Sequence, residues 1–137
     1  METPNLDRLL RELKNLNLPL GHFAIFGSAP LAIRGLRDSH DLDIIVSDEL
    51  YQKLKAQYSS PEYQSPLGFL KINDFEISNQ WMNDSSKVSQ MITEAEIIND
   101  WPFVVLSYVI TWKTNMGRDK DKIDLEMINE YLKLAKS

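Results

Sequence analysis

The sequence predicts an α/β domain of the α+β kind, a mixed sheet of five to six strands flanked by helices. Two observations carry this expectation. Short apolar runs of four or five residues alternate with longer segments in which Leu and Ile recur at helical spacing. Two strand pairs are joined by turns rich in Asn and Asp, at Asn73-Asp74 and at Asn99-Asp100-Trp101-Pro102, so some neighbours run antiparallel and the sheet cannot be purely parallel.

Thr3 can cap an opening helix with Pro4 in its first turn, and Leu6, Leu9, Leu10, Leu13 and Leu16 fall on one stripe that stops before Pro19. The run 22–26 reads as a buried strand that ends in the Gly27-Ser28 turn. A short helix over 30–34 follows, closed by Gly35. A second strand covers 42–46, and Ser47 caps a helix with Leu50, Leu54 and Tyr58 inward. Strands over 68–72 and 75–78 return on each other at Asn73-Asp74, whose residue types tolerate left-handed backbone. The polar, Ser-rich stretch 81–90 reads as loop. Strands over 95–98 and 103–106 come next, then a helix from Ser107 to Met116 ended by Gly117. A last helix spans 120–135 with Ile123, Met127, Ile128, Tyr131 and Leu134 inward, which makes four or five helices in all.

With 137 residues, the chain has the length of one domain, expected over 1–137, and a core that needs no staples. It holds no cysteine, which excludes a disulfide scaffold, a thiol nucleophile and a Cys-ligated metal. A net charge of −5 argues against non-specific nucleic-acid binding. No apolar run is long enough to cross a membrane, and the acidic start lacks the blocks of a secretory signal, so a cytoplasmic protein is expected and the Asn83-Asp84-Ser85 sequon is read as chance.

The chemistry concentrates between Gly27 and Val46. On a strand, residues two apart share a face, so Asp41 and Asp43 project together while Leu42 and Ile44 point to the core. Two adjacent carboxylates repel unless a cation or a shared proton offsets them, and hard oxygen donors at this spacing suit Mg²⁺ or Mn²⁺. Glu76, between Phe75 and Ile77, is a third acid that converges with them if its strand lies beside theirs; Asp74, two residues earlier on the same face, is the alternative. The Gly27-Ser28 turn offers backbone N–H groups and a hydroxyl at a helix start, suited to phosphate.

These residues resemble the nucleotidyltransferase superfamily, whose polymerase-beta-like members carry an apolar residue before Gly-Ser, a spacer, Asp-apolar-Asp and a later acid between apolar residues. Here Phe26-Gly27-Ser28, twelve intervening residues, Asp41-Leu42-Asp43-Ile44 and Phe75-Glu76-Ile77 match in order. Arg37-Asp38-Ser39-His40-Asp41-Leu42-Asp43 is similar to the Arg-x-Ser/Thr-x-Asp-x-Asp element of small members, and Lys113, Gly117-Arg118-Asp119-Lys120-Asp121 and Asp124 are similar to their tail. The resemblance implies the nucleotidyltransferase fold and transfer of a nucleoside monophosphate from an NTP, such as ATP, to a hydroxyl of a protein, RNA or small-molecule acceptor. By it, Asp41, Asp43 and Glu76 are the catalytic and metal-holding acids, Gly27 and Ser28 grip the β- and γ-phosphates, and Lys113, Arg118 and Lys120 are candidates for phosphate contact. It also implies a protein partner or homo-oligomer to complete the acceptor surface, and it leaves a second reading open: a catalytically inert interaction module of the same fold, such as a toxin–antitoxin component.

Blander readings compete at several positions. His40 reads as a surface or orienting residue, and His22 as the opening of a strand. Trp112 and Trp101 read as packing residues, which leaves Trp81 as the better candidate for base stacking. Arg34 and Arg37 are candidates for structural neutralisation of the Asp pair.

Overall fold

The computed structural model describes residues 2–135; the ends of the expected 1–137 unit, Met1 and residues 136–137, lie outside it. Its described residues form an α+β architecture with a mixed, open six-stranded sheet and six α-helices. In chain order these are α1 (Pro4–Leu13), β1 (Phe23–Phe26), α2 (Ala29–Ile33), β2 (Leu42–Val46), α3 (Asp48–Gln57), β3 (Leu70–Ile72), β4 (Phe75–Ser78), α4 (Val88–Thr93), β5 (Glu96–Ile98), β6 (Trp101–Phe103), α5 (Leu106–Met116) and α6 (Asp119–Ala135). The strand order is β3-β4-β2-β1-β6-β5. β2 runs antiparallel to β1 and parallel to β4, β1 runs parallel to β6, and the two outer pairs are antiparallel.

Strand alternation divides the core between the two faces of the sheet. Phe23, Ile25, Leu42, Ile44, Val46, Phe75 and Ile77 pack with Leu6, Leu9 and Leu13 of α1 and with Leu50, Tyr51 and Leu54 of α3. Ala24 and Ile45 point the other way, to Val88 and Met91 of α4, Val109 of α5 and Ile128 of α6. Each fully buried Leu contributes roughly 2 kcal/mol, so the α1 stripe alone is a firm anchor for that helix.

Several expectations hold. Asn73 takes left-handed φ of 52° in the β3–β4 hairpin, Ser47 Oγ accepts the Leu50 N–H at the start of α3, and Gly117 closes α5 with φ of 61°. Others are corrected. The stretch 81–90 is not all loop, because Val88, Met91 and Ile92 recur at helical spacing and bury the inner side of α4. The last hairpin turns at Asn99 and Asp100, both at positive φ, so β6 starts at Trp101 and the expected strand over 103–106 is displaced. The segment 68–72 shortens to β3 because Gly68, at φ of 89°, still belongs to a turn. Ser107 is inside α5, whose N-cap is Val105. In α6, Ile123 and Leu134 are 58% and 74% exposed, while Asp121 and Asp124 take the inward positions beside Ile128.

The start of α1 is also capped differently. Thr3 makes no side-chain cap; instead the Asp38 carboxylate, far along the chain, accepts the N–H groups of Asn5 and Leu6 at 3.0 Å each, and of Ser39 at 2.9 Å. Burial pushes the Asp38 carboxyl up, but the donors from Asn5, Ser39 and Leu6 outweigh it and hold it below its ordinary value. An acid with a lowered folded-state pKa stabilises the fold above its unfolded pKa, and that contribution fades as pH falls through the folded value. Asp38→Ala should therefore lower the urea midpoint at neutral pH by about 1 kcal/mol equivalent, and the gap from wild type should close as the titration is repeated toward low pH.

Candidate functional site

The site is built from strand register. Asp43 on β2 lies between Phe26 of β1 and Glu76 of β4, its direct partners in the antiparallel and parallel pairings. Leu42, Ile44, Phe75 and Ile77 are fully buried on the opposite face, which fixes Asp43 and Glu76 on the face that carries α4, α5 and α6. Asp41 precedes β2 by one residue and is near enough to act electrostatically on Asp43. Glu76, not Asp74, is the acid beside Asp43: Asp74 sits in the hairpin turn, where its carboxylate faces Arg8 at 3.5 Å and its carbonyl accepts the Leu42 N–H.

Burial pushes the Asp43 carboxyl well above its ordinary value. A hydrogen bond to Glu76 and the charges of Glu76 and Asp41 add to the rise, and Lys113 opposes it. Directly over Asp43 lies Gly27, with φ of 73°; a Cβ there would overlap the Asp43 carboxylate. Left-handed Gly27 followed by Ser28 in right-handed conformation turns consecutive N–H groups to one side, the arrangement that makes backbone anion nests.

One cation meets the acid pair itself: Lys71, opposite Glu76 on β3, lies 3.6 Å from its carboxylate. The others are arranged around two further acids. Lys113 is buried, with its ammonium 2.8 Å from Asp124 and 3.9 Å from Asp121. Arg118 donates from Nε and Nη2 to Asp121 at 2.6 and 3.1 Å, and its guanidinium lies 5.6 Å from the Trp112 ring centre. Arg37 holds Asp124 at 2.8 and 3.0 Å, and Arg34 pairs with Glu96 at 3.0 Å, so both arginines pair with acids other than Asp41 and Asp43. Lys120 is exposed in the first turn of α6, and His40 is exposed beside Asp41.

Trp81 is not on an open loop. It is 8% exposed in the second core cluster, edge-on to Tyr108 at 5.6 Å, which removes it as a stacking platform. Trp112 packs edge-on to Phe26 at 5.9 Å and Trp101 to Phe23 at 6.3 Å. Asp121, Asp124 and Ser39 enter the sequence motifs without a role of their own; the signal for the two acids is their spacing of three on a helix that follows Lys113.

The donor set fits a hard divalent cation in chemistry: two carboxylates in register, Asp43 raised by burial and by its acidic neighbours, with a third acid close by. Among the described residues, no three Asp, Glu, His or Cys side chains already stand as a preformed metal cage. No described helix is long and apolar enough to cross a membrane. Two grooves, of about 330 Å³ between α5 and α6 and about 400 Å³ beside α3, lie away from the acids.

Two substitutions probe this construction. Gly27→Ala should destabilise by more than about 1 kcal/mol in chemical denaturation, because positive φ and the overlap with Asp43 act together. Asp124→Ala leaves the Lys113 ammonium and the Arg37 guanidinium short of a partner and should cost about 3 kcal/mol in the same measurement. No family model matches the chain, and no curated protein or solved structure matches it.

Proposed function

We propose that this chain is a metal-dependent nucleotidyltransferase of the polymerase-beta-like fold, moving a nucleoside monophosphate from an NTP to a hydroxyl of a protein, RNA or small-molecule acceptor. The observation that carries the reading is the Asp43–Glu76 register directly beneath the Gly27-Ser28 turn. An acid pair and an anion nest in contact are what a metal-bound triphosphate needs. Asp41, Asp43 and Glu76 would hold Mg²⁺ or Mn²⁺. Bound there, the ion would supply charge neutralisation at the transferring phosphoryl group.

The chain's own residues do the rest. The Gly27 and Ser28 N–H groups orient the phosphate tail, and the absence of a Cβ at Gly27 lets it approach the acids. Glu76, in register with Asp43, would take a proton from an acceptor hydroxyl. Lys113, held by Asp124 and Asp121, offsets the negative charge that gathers around Asp43.

One observation favours the alternative of an inert interaction module with the same fold. Lys113 and Arg118, two of the three candidate phosphate cations, are already committed to Asp121 and Asp124. Incubation with each labelled NTP and Mg²⁺ or Mn²⁺ separates the readings. Label transfer that Asp43→Asn and Glu76→Gln abolish supports the enzyme, while no transfer together with no metal-dependent NTP binding by calorimetry supports the module.

The acid pair also makes a prediction about pH. A carboxyl whose folded-state pKa is raised stabilises the fold below its unfolded pKa, and that stability is lost as pH rises through the raised value. Metal-free protein should therefore lose thermal stability across that range. Asp43→Asn should lose less, and millimolar Mn²⁺ should restore the wild-type midpoint while leaving that of Asp43→Asn little changed.

A further inference from the structure

Ser39 is fully buried between the Gly27-Ser28 turn and the acid strand. Its Oγ lies 2.8 Å from the Asp41 carbonyl and 2.7 Å from Ser28 Oγ. A carbonyl only accepts and a serine hydroxyl carries one hydrogen, so Ser39 donates to Asp41 and Ser28 must donate to Ser39. The Ser39 N–H is in turn fixed by Asp38, the carboxylate that caps α1. The proton of Ser28 is thereby spent inside the fold. Toward the site its oxygen has lone pairs alone, and a phosphate oxygen meeting this turn finds its donors in the backbone.

We infer that Ser39 is a positioning residue: its hydroxyl ties the Gly27-Ser28 turn to the main chain of Asp41 and presents the Ser28 oxygen to the ligand as an acceptor only. The inference rests on the nucleotidyltransferase reading for what the ligand is, and on geometry alone for the coupling itself.

Hydrogen exchange on the full chain tests the coupling without any ligand. In Ser39→Ala, the amides at the two ends of this hydrogen-bond chain, Leu31 and Ala32 to the Ser28 carbonyl and Leu42 to the Asp74 carbonyl, should exchange about tenfold faster under native conditions. The Val104 and Ser47 amides, bonded to Ile25 and His22, serve as references that keep the wild-type rate. Ser39→Thr, which retains the hydroxyl, should restore the wild-type pattern. Unchanged exchange at both ends, or a change at one end only, overturns the coupling. If Ser39→Ala does not fold, Ser28→Ala reads the chain from its other end: faster exchange at Ser39 supports the coupling and an unchanged rate there overturns it.

Calorimetry with Mg²⁺ and inorganic triphosphate tests the acceptor role. If the Ser28 proton is spent on Ser39, Ser28→Ala binds triphosphate within about twofold of wild type. If Ser28→Ala loses about tenfold or more, Ser28 donates to phosphate directly and the acceptor role is wrong. Wild-type protein that binds no triphosphate counts against the nucleotidyltransferase reading and, with it, against the acceptor role; the exchange arm still decides the coupling.

Discussion

A carboxylate held under a glycine against a second carboxylate is the constraint around which the rest of the molecule is arranged. Asp43 has neighbours on both sides, Phe26 and Glu76, and Gly27 above it. The backbone of neither acid can shift without moving a strand, because Leu42, Ile44, Phe75 and Ile77 pin both strands from the far side of the sheet. A slip of one residue would exchange the acidic and apolar faces, so the hydrophobic core sets the position of the charge. Burial raises the Asp43 carboxyl, the acids Glu76 and Asp41 add to the rise, and the nearby Lys113 ammonium opposes it.

That ammonium is itself expensive to bury, which explains the composition of α6. Lys113 on α5 meets Asp124 and Asp121, Arg37 takes the far side of Asp124, and Arg118 the far side of Asp121. Burial raises the Asp121 carboxyl, but the hydrogen bonds and charge of Arg118, with Lys113 behind them, bring it below its ordinary value. Three cations and two acids leave one net positive charge on the flank of the acid pair. The helix that amphipathic patterning would bury through Ile123 and Leu134 is instead turned by its acids, and those two apolar residues face solvent.

Much of this was legible in the residues. The alternation in 42–46 and 75–78 gave both strands and the faces of Asp43 and Glu76, and the Asn-Asp turns gave the antiparallel outer pairs. Helix α4 was hidden because its three buried residues sit among Ser, Lys and Gln. The cap of α1 was hidden because the capping carboxylate comes from Asp38, and a local rule that looks one residue before the helix finds only Thr3. The partners of Lys113, Arg118 and Arg37 were hidden for a related reason: charge alternation on a helix reads as a solvated face until another element closes over it. Longer-range contacts decide each of these cases, and spacing along the chain does not encode them.

The parallel pairing of β2 with β4 also sets an order of events in synthesis. β1 and β2 pair across the connection 27–41, so the residues that set the register of Asp43 against Phe26 are made before β4. Glu76 joins only after α3 and the β3 hairpin have followed, and β6 reaches β1 later still, through the register of Ile25 with Phe103. Such distant closures are slow relative to local ones. Asp41 and Asp43 are therefore made well before Glu76, and the three carboxylates come together only when the sheet does.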